Sequence, residues 1–102
     1  MALNENTNHS ISLEDAAKMT ARYRKAAGAP LAAAFGKAAI LKIFDQDDCI
    51  GFRAYYAKNE KDELTLVLAG ITESGDDLYE GELAEYGAAC PPFCGASNPL
   101  NS

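Results

Sequence analysis

A chain of 102 residues with 48% hydrophobic residues has the size of one domain, but 19 of its residues are alanine, which removes little area from water, so the core is expected to be thin. Nine Lys and Arg against fifteen Asp and Glu leave a net charge of -6, which opposes the phosphate attraction behind nucleic-acid binding and sets that class aside. No stretch approaches the roughly 20 apolar residues of a bilayer span, the polar opening Met1 to Ser10 lacks the basic and then apolar run of a secretory signal, and three cysteines are an odd and sparse set, so an acidic, soluble, cytoplasmic protein with free thiols is expected, without a membrane partner.

Residues 1–10 are polar, carry the sole histidine, His9, and show no periodicity that would bury a face, so a flexible terminus is expected. Ser12 followed by Asp15 resembles a capping box, and Glu14 and Asp15 suit the positive end of a helix dipole. A helix should therefore start at Leu13, with Leu13, Ala16, Ala17, Thr20, Tyr23 and Ala27 on one side and Lys18, Arg22 and Lys25 on the other. Gly28 and Pro30 supply its stop. Leu31 to Gly36 is ambiguous, its alanines favouring helix while Pro30 and Gly36 bracket it as a connector, and Lys37 to Gln46 reads as a second helix with Ile40, Leu41 and Phe44 on one face.

Beyond the polar turn Asp45 to Asp48 the period changes to two. Ile50, Phe52, Ala54 and Tyr56 alternate with Gly51, Arg53 and Tyr55, as in a strand near 49–57 with two distinct faces. Asn59 to Asp62 should reverse the chain. Leu64 to Ile71 is apolar on both faces, the pattern of a central strand with cover above and below. After a turn at Ser74 to Asp77, residues 78–86 suit a third strand or a short helix, the strand being favoured. The proline-containing end, 90–102, should be an extended tail.

Cys90-Pro91-Pro92-Phe93-Cys94 is the most chemically suggestive string, because two near thiols can serve redox, metal or structural ends. Pro91 and Pro92 remove two amide donors that would stabilise a thiolate, which weakens the redox option. Four polyproline steps hold the two Cα atoms about 12 Å apart, whereas a disulfide needs them within about 7 Å, so bridging demands a turn. Cys49, Cys90 and Cys94 supply three ligands of the four that structural zinc wants. A local structural role for the cysteines is favoured over chemistry, and no resident metal or cofactor is expected.

Arg53 and Tyr55 project from one strand face, where a guanidinium and a phenol could hold a carboxylate ligand or support the acidic half of the chain. Lys18, Arg22 and Lys25 form a solvated basic face. Asp45, Asp47 and Asp48 do not make a calcium loop, because Ile50 and Tyr56 stand where its glycine and glutamate belong. No phosphate loop, nucleophile elbow or histidine dyad is present.

The strand Cys49-Ile50-Gly51-Phe52-Arg53-Ala54-Tyr55-Tyr56, the run Leu64 to Leu68 and the tail Cys90-Pro91-Pro92-Phe93-Cys94 resemble a family of short uncharacterised bacterial proteins with no assigned activity. That resemblance spans about residues 11–100. It implies that Cys49, Arg53, Tyr55, Cys90 and Cys94 are the positions to test first, without giving them roles.

The expected architecture is a single α+β domain over 11–102, with two N-terminal helices on one face of a small antiparallel sheet of two to four strands. Because the central strand is apolar on both sides, the uncovered face calls for a second copy, so a homodimer is expected. The expected function is a non-enzymatic binding or protein-interaction domain. The alternative is a thiol-dependent redox or metal-binding protein using the cysteine segment, or a small-ligand enzyme.

Overall fold

The computed structural model describes residues 3–28, 31–85 and 87–102. It holds two helices and two small antiparallel sheets, α1 (Leu13–Ala27), β1 (Ala32–Ala34), α2 (Lys37–Phe44), β2 (Gly51–Lys58), β3 (Leu64–Ile71), β4 (Leu83–Ala84) and β5 (Ala88–Cys90), an α+β composition. No helix is long and apolar enough to cross a membrane among the described residues. The chain divides into two compact units, Met1–Thr7 with Phe35–Gly87 and Asn8–Ala34 with Ala88–Ser102.

In the first unit the sheet order is β2-β3-β4. β2 and β3 pair without interruption from Gly51↔Ile71 to Lys58↔Leu64, because Asn59 builds the reversal between them. Its Oδ1 accepts from the amides of Lys61 and Glu63 at 2.9 and 3.0 Å, and Asp62 takes a left-handed φ of 64°. β4 adds only the pairs Leu68↔Ala84 and Ala69↔Leu83, so most of segment 78–86 is irregular rather than a third strand. Its start is tied to β3, where Leu78 N–H donates to the Gly70 carbonyl at 2.8 Å.

The core of this unit is small. Ile43 on α2 and Leu68, Ala69 and Ile71 on β3 are buried, and α2 touches β2, β3 and β4, with the rings of Phe44 and Phe52 6.0 Å apart. The two-sided burial expected along all of β3 holds only for its second half, since Leu64 is 40% exposed and burial rises toward Ile71. Gln46, just past α2, ties helix to loop. Its Nε2 donates to the Ile43 carbonyl and its Oε1 accepts from Glu82 N–H, each at 2.8 Å. Gly70 lies close beneath it, and a Cβ there would stand 2.9 Å from Gln46 Nε2 and 3.0 Å from Cys49 Sγ, so these side chains would have to shift.

The second unit is built from α1, the β1–β5 pair and the tail. α1 starts and stops as its local signals dictate. Ser12 Oγ accepts from Asp15 N–H at 3.1 Å, and Gly28, at φ 84°, caps the end with its N–H on the Arg24 carbonyl. Pro30 lies outside the described residues. No residue of α1 is fully buried, and Ile11, Leu13, Met19 and Tyr23 stay largely exposed, so its apolar stripe lines an open surface rather than a core. β1 and β5 pair antiparallel, Ala32↔Cys90 to Ala34↔Ala88.

The tail is not extended. It turns back at Cys90–Cys94 and is held further on by Arg24, whose Nη1 and Nη2 donate to the carbonyl oxygens of Leu100 and Ser102 at 2.9 and 3.0 Å.

Candidate functional site

Arg53 and Tyr55 stand two residues apart on β2, so their side chains leave the same face. The structure brings them together on Asp77. Arg53 Nη1 lies 2.5 Å from Asp77 Oδ1, the Tyr55 hydroxyl donates to Asp77 Oδ2, and Arg53 Nη1 also donates to the Gly75 carbonyl at 3.1 Å. Asp77 is positioned by its bridge to Ile71, itself opposite Gly51, which carries the turn back over β2. The turn is fixed by Thr72 N–H on the Asp76 carbonyl, Gly75 N–H on the Thr72 carbonyl and Gly75 at φ 90°.

The three groups tune one another. Asp77 is held below the usual carboxylate range by the Tyr55 hydrogen bond first and the Arg53 guanidinium after it. Tyr55 is pushed up, chiefly by its hydrogen bond to Asp77, and Arg53 is raised for the same cause. Asp77 supplies a carboxylate to Arg53 Nη1 and to the Tyr55 hydroxyl and so ties both side chains to the turn at 72–77, while the Arg53 side chain remains 41% exposed.

The pH dependence has a definite sign. Because the carboxyl of Asp77 is more acidic in the folded chain, its contribution is present above the unfolded carboxylate range and is lost as pH falls through the folded value. Tyr55 behaves in the opposite sense, its contribution being present below the ordinary phenol range and lost as pH rises through its elevated value. Asp77→Asn is therefore expected to flatten both limbs. Urea midpoints for the variant and the parent should converge at low pH and differ most near neutrality, and a pH-independent difference would refute the linkage.

The cysteines divide differently. Cys90 and Cys94 form a disulfide with Cα atoms 4.8 Å apart, and Cys49 is the free thiol, its Sγ donating to the Gly51 carbonyl at 3.1 Å. The expectation of free thiols is corrected here, and with it goes the cysteine argument for a reducing compartment. The sequence estimate failed because it extended the tail. Phe93 N–H instead donates to the Ala89 carbonyl at 2.8 Å and Cys94 N–H to the Pro92 carbonyl at 3.0 Å, a turn in which both Cys90–Pro91 and Pro91–Pro92 are cis.

The amides of Phe93 and Cys94 are thus engaged with carbonyl oxygens and are not spent on a thiolate. Among the described residues no group of three His, Cys, Asp or Glu could hold a metal. The disulfide borders an open groove of about 590 Å³ in the second unit, walled by Met19, Tyr23, Leu31, Phe93 and Leu100.

One further feature of β2 bears on binding. Asn59 N–H donates to the Glu63 carbonyl at 2.9 Å, continuing the register of β2 on β3. Hydrogen-bonded pairs alternate with open ones in an antiparallel ladder, so the odd-numbered residues of β2 bond to β3. The N–H and C=O groups of Phe52, Ala54, Tyr56 and Lys58 then face the other edge, where no strand pairs among the described residues.

Sequence reasoning identified Arg53 and Tyr55 but missed Asp77, Gln46 and this free edge. The pair Asp76-Asp77 was visible only as a turn signal, and strand order is not written in local periodicity. No family model, no curated protein and no solved structure matches this chain.

Proposed function

We propose that this chain is a non-enzymatic protein-interaction domain that binds by strand addition, an extended polypeptide segment pairing along the free edge of β2. The observation that carries it is the row of outward main-chain groups on an eight-residue strand that lacks the usual protections. Natural edge strands are shortened, bulged, interrupted by proline or studded with lysine. β2 pairs with β3 one-to-one over its whole length, contains no proline, and carries lysine only at its end, Lys58.

Its side chains favour contact as well. Tyr56 is 84% exposed and Phe52 43%, aromatic area of the kind that anchors interfaces, while the charge of Arg53 is matched within the chain by Asp77. Enzymatic alternatives have less to stand on, since two of the three sulfurs are joined and Arg53 and Tyr55 are occupied by Asp77.

Selection from a library of short random peptides on the immobilised protein tests this. Enriched peptides are expected to be extended sequences that lose binding to Ala54→Pro, which removes an outward N–H at an edge position where proline is tolerated, and that bind Cys90→Ser/Cys94→Ser normally. Peptides indifferent to Ala54→Pro, or dependent on the disulfide, would overturn the proposal.

A further inference from the structure

We infer that the segment received by this edge is β2 of a second copy, the two strands running antiparallel about a twofold axis at Tyr55, so that the sheets join into one of six strands. This rests on the strand-addition function proposed above and names its partner.

The inference follows from which residues can pair. In an antiparallel ladder, residues whose main-chain groups face the partner must lie opposite residues that do the same. For β2 these are Phe52, Ala54, Tyr56 and Lys58. A twofold axis at Tyr55 places Phe52 opposite Lys58 of the second copy and Ala54 opposite its Tyr56, and engages all four. Moving the axis to Ala54 or to Tyr56 leaves one of the four without a counterpart in the strand, so the register at Tyr55 satisfies the most main-chain groups.

Side chains agree with that register. Arg53 then faces Ala57 and Lys58 faces Phe52, so no like charges stand directly opposed, which would be destabilising. The small Ala54 lies beside the large Tyr56, and Tyr55 meets its own copy across the axis. An isologous, self-complementary contact of this kind closes after two chains and leaves no second β2 edge to propagate. This edge contact differs from the face-to-face dimer that the sequence suggested. With a charge of -6 on each chain, association should tighten as salt screens the long-range repulsion.

Light scattering behind size exclusion, over a dilution series of the intact protein, should give two chains at high concentration and one on dilution. Ala54→Pro should be monomeric throughout. Tyr56→Lys, at a position too exposed to disturb the fold, should weaken association about tenfold or more by placing a charge on the edge. Amide exchange at Phe52, Ala54, Tyr56 and Lys58 should slow with rising wild-type concentration.

The register is read by cross-linking in a Cys49→Ser background. Tyr55→Cys should oxidise to a covalent dimer, because residues opposed at an open pair have Cβ atoms about 4.5–5.5 Å apart, and Ala54→Cys should not. Efficient cross-linking through Ala54→Cys instead would overturn the register. A wild-type protein monomeric at every concentration that still selects peptides sensitive to Ala54→Pro would overturn the self-pairing and leave strand addition standing. A dimer that persists in Ala54→Pro with unaltered exchange along β2 would overturn both.

Discussion

Replacing Ile43 by alanine should destabilise the first unit by about 2–5 kcal/mol, the range for truncating a well-buried isoleucine. Ile43 is 1% exposed and is the largest fully buried side chain among the described residues. The apolar side chains buried with it are few, Leu68, Ala69 and Ile71, so little remains to close over the void. Small domains are stable by only about 5–15 kcal/mol in total, and each kcal/mol shifts the melting temperature of a domain this size by about 4–8 °C. A drop of at least about 8 °C is therefore expected, against a much smaller one for Ile43→Val. Thermal melts of the two variants measure it, and an Ile43→Ala protein that melts with the parent would mean that α2 is not seated on the strands.

The second large effect is expected at the disulfide. Cys90 and Cys94 are separated by four positions, and in the loop-entropy model closing so short a loop contributes about 2 kcal/mol. That is modest for a whole domain, but the second unit has little else. Cys90 is its one buried hydrophobic side chain among the described residues, and α1 has none. Cys90→Ser/Cys94→Ser, or reduction of the parent with a phosphine, should therefore loosen α1, β1 and the tail while the β2–β3 ladder persists. Amide exchange resolved by residue should show protection lost in 13–34 and 88–102 and kept in 51–71. Equal protection in the reduced and oxidised protein would refute the dependence.

The features legible in the sequence are those whose cause is local. The limits of α1 follow from Ser12, Asp15 and Gly28, each acting within one turn of itself, and the β2–β3 hairpin from two period-two runs flanking Asn59 to Asp62. Features that depend on a distant partner were hidden. β1 and β5 are alanine-rich strands whose side chains carry almost no hydrophobic pattern, and only their pairing across the chain defines them. The pairing of Arg53 and Tyr55 with each other was foreseeable from their spacing, whereas Asp77 joins them through a turn and a bridge to Ile71 that no periodicity encodes. The apolar run at Leu64 to Ile71 implied equal cover at both ends. Burial is uneven because β4 and the loop from Asp77 reach only its second half.

The ladder Ala32↔Cys90 to Ala34↔Ala88 has a consequence for how the chain is made. Residues 35–87 depart after Ala34 and rejoin at Ala88, two positions about 5 Å apart across one rung, so the intervening segment is spliced into a small hairpin-like frame. A ribosome releases the β2–β3 hairpin, closed by a short reversal, well before Ala88 to Cys90 emerge. Closing so long a span carries the larger entropic toll, so the inserted cassette is expected to form before the outer frame pairs. The same adjacency makes the cassette removable in principle, since a two-residue reverse turn would suffice to connect Ala34 to Ala88.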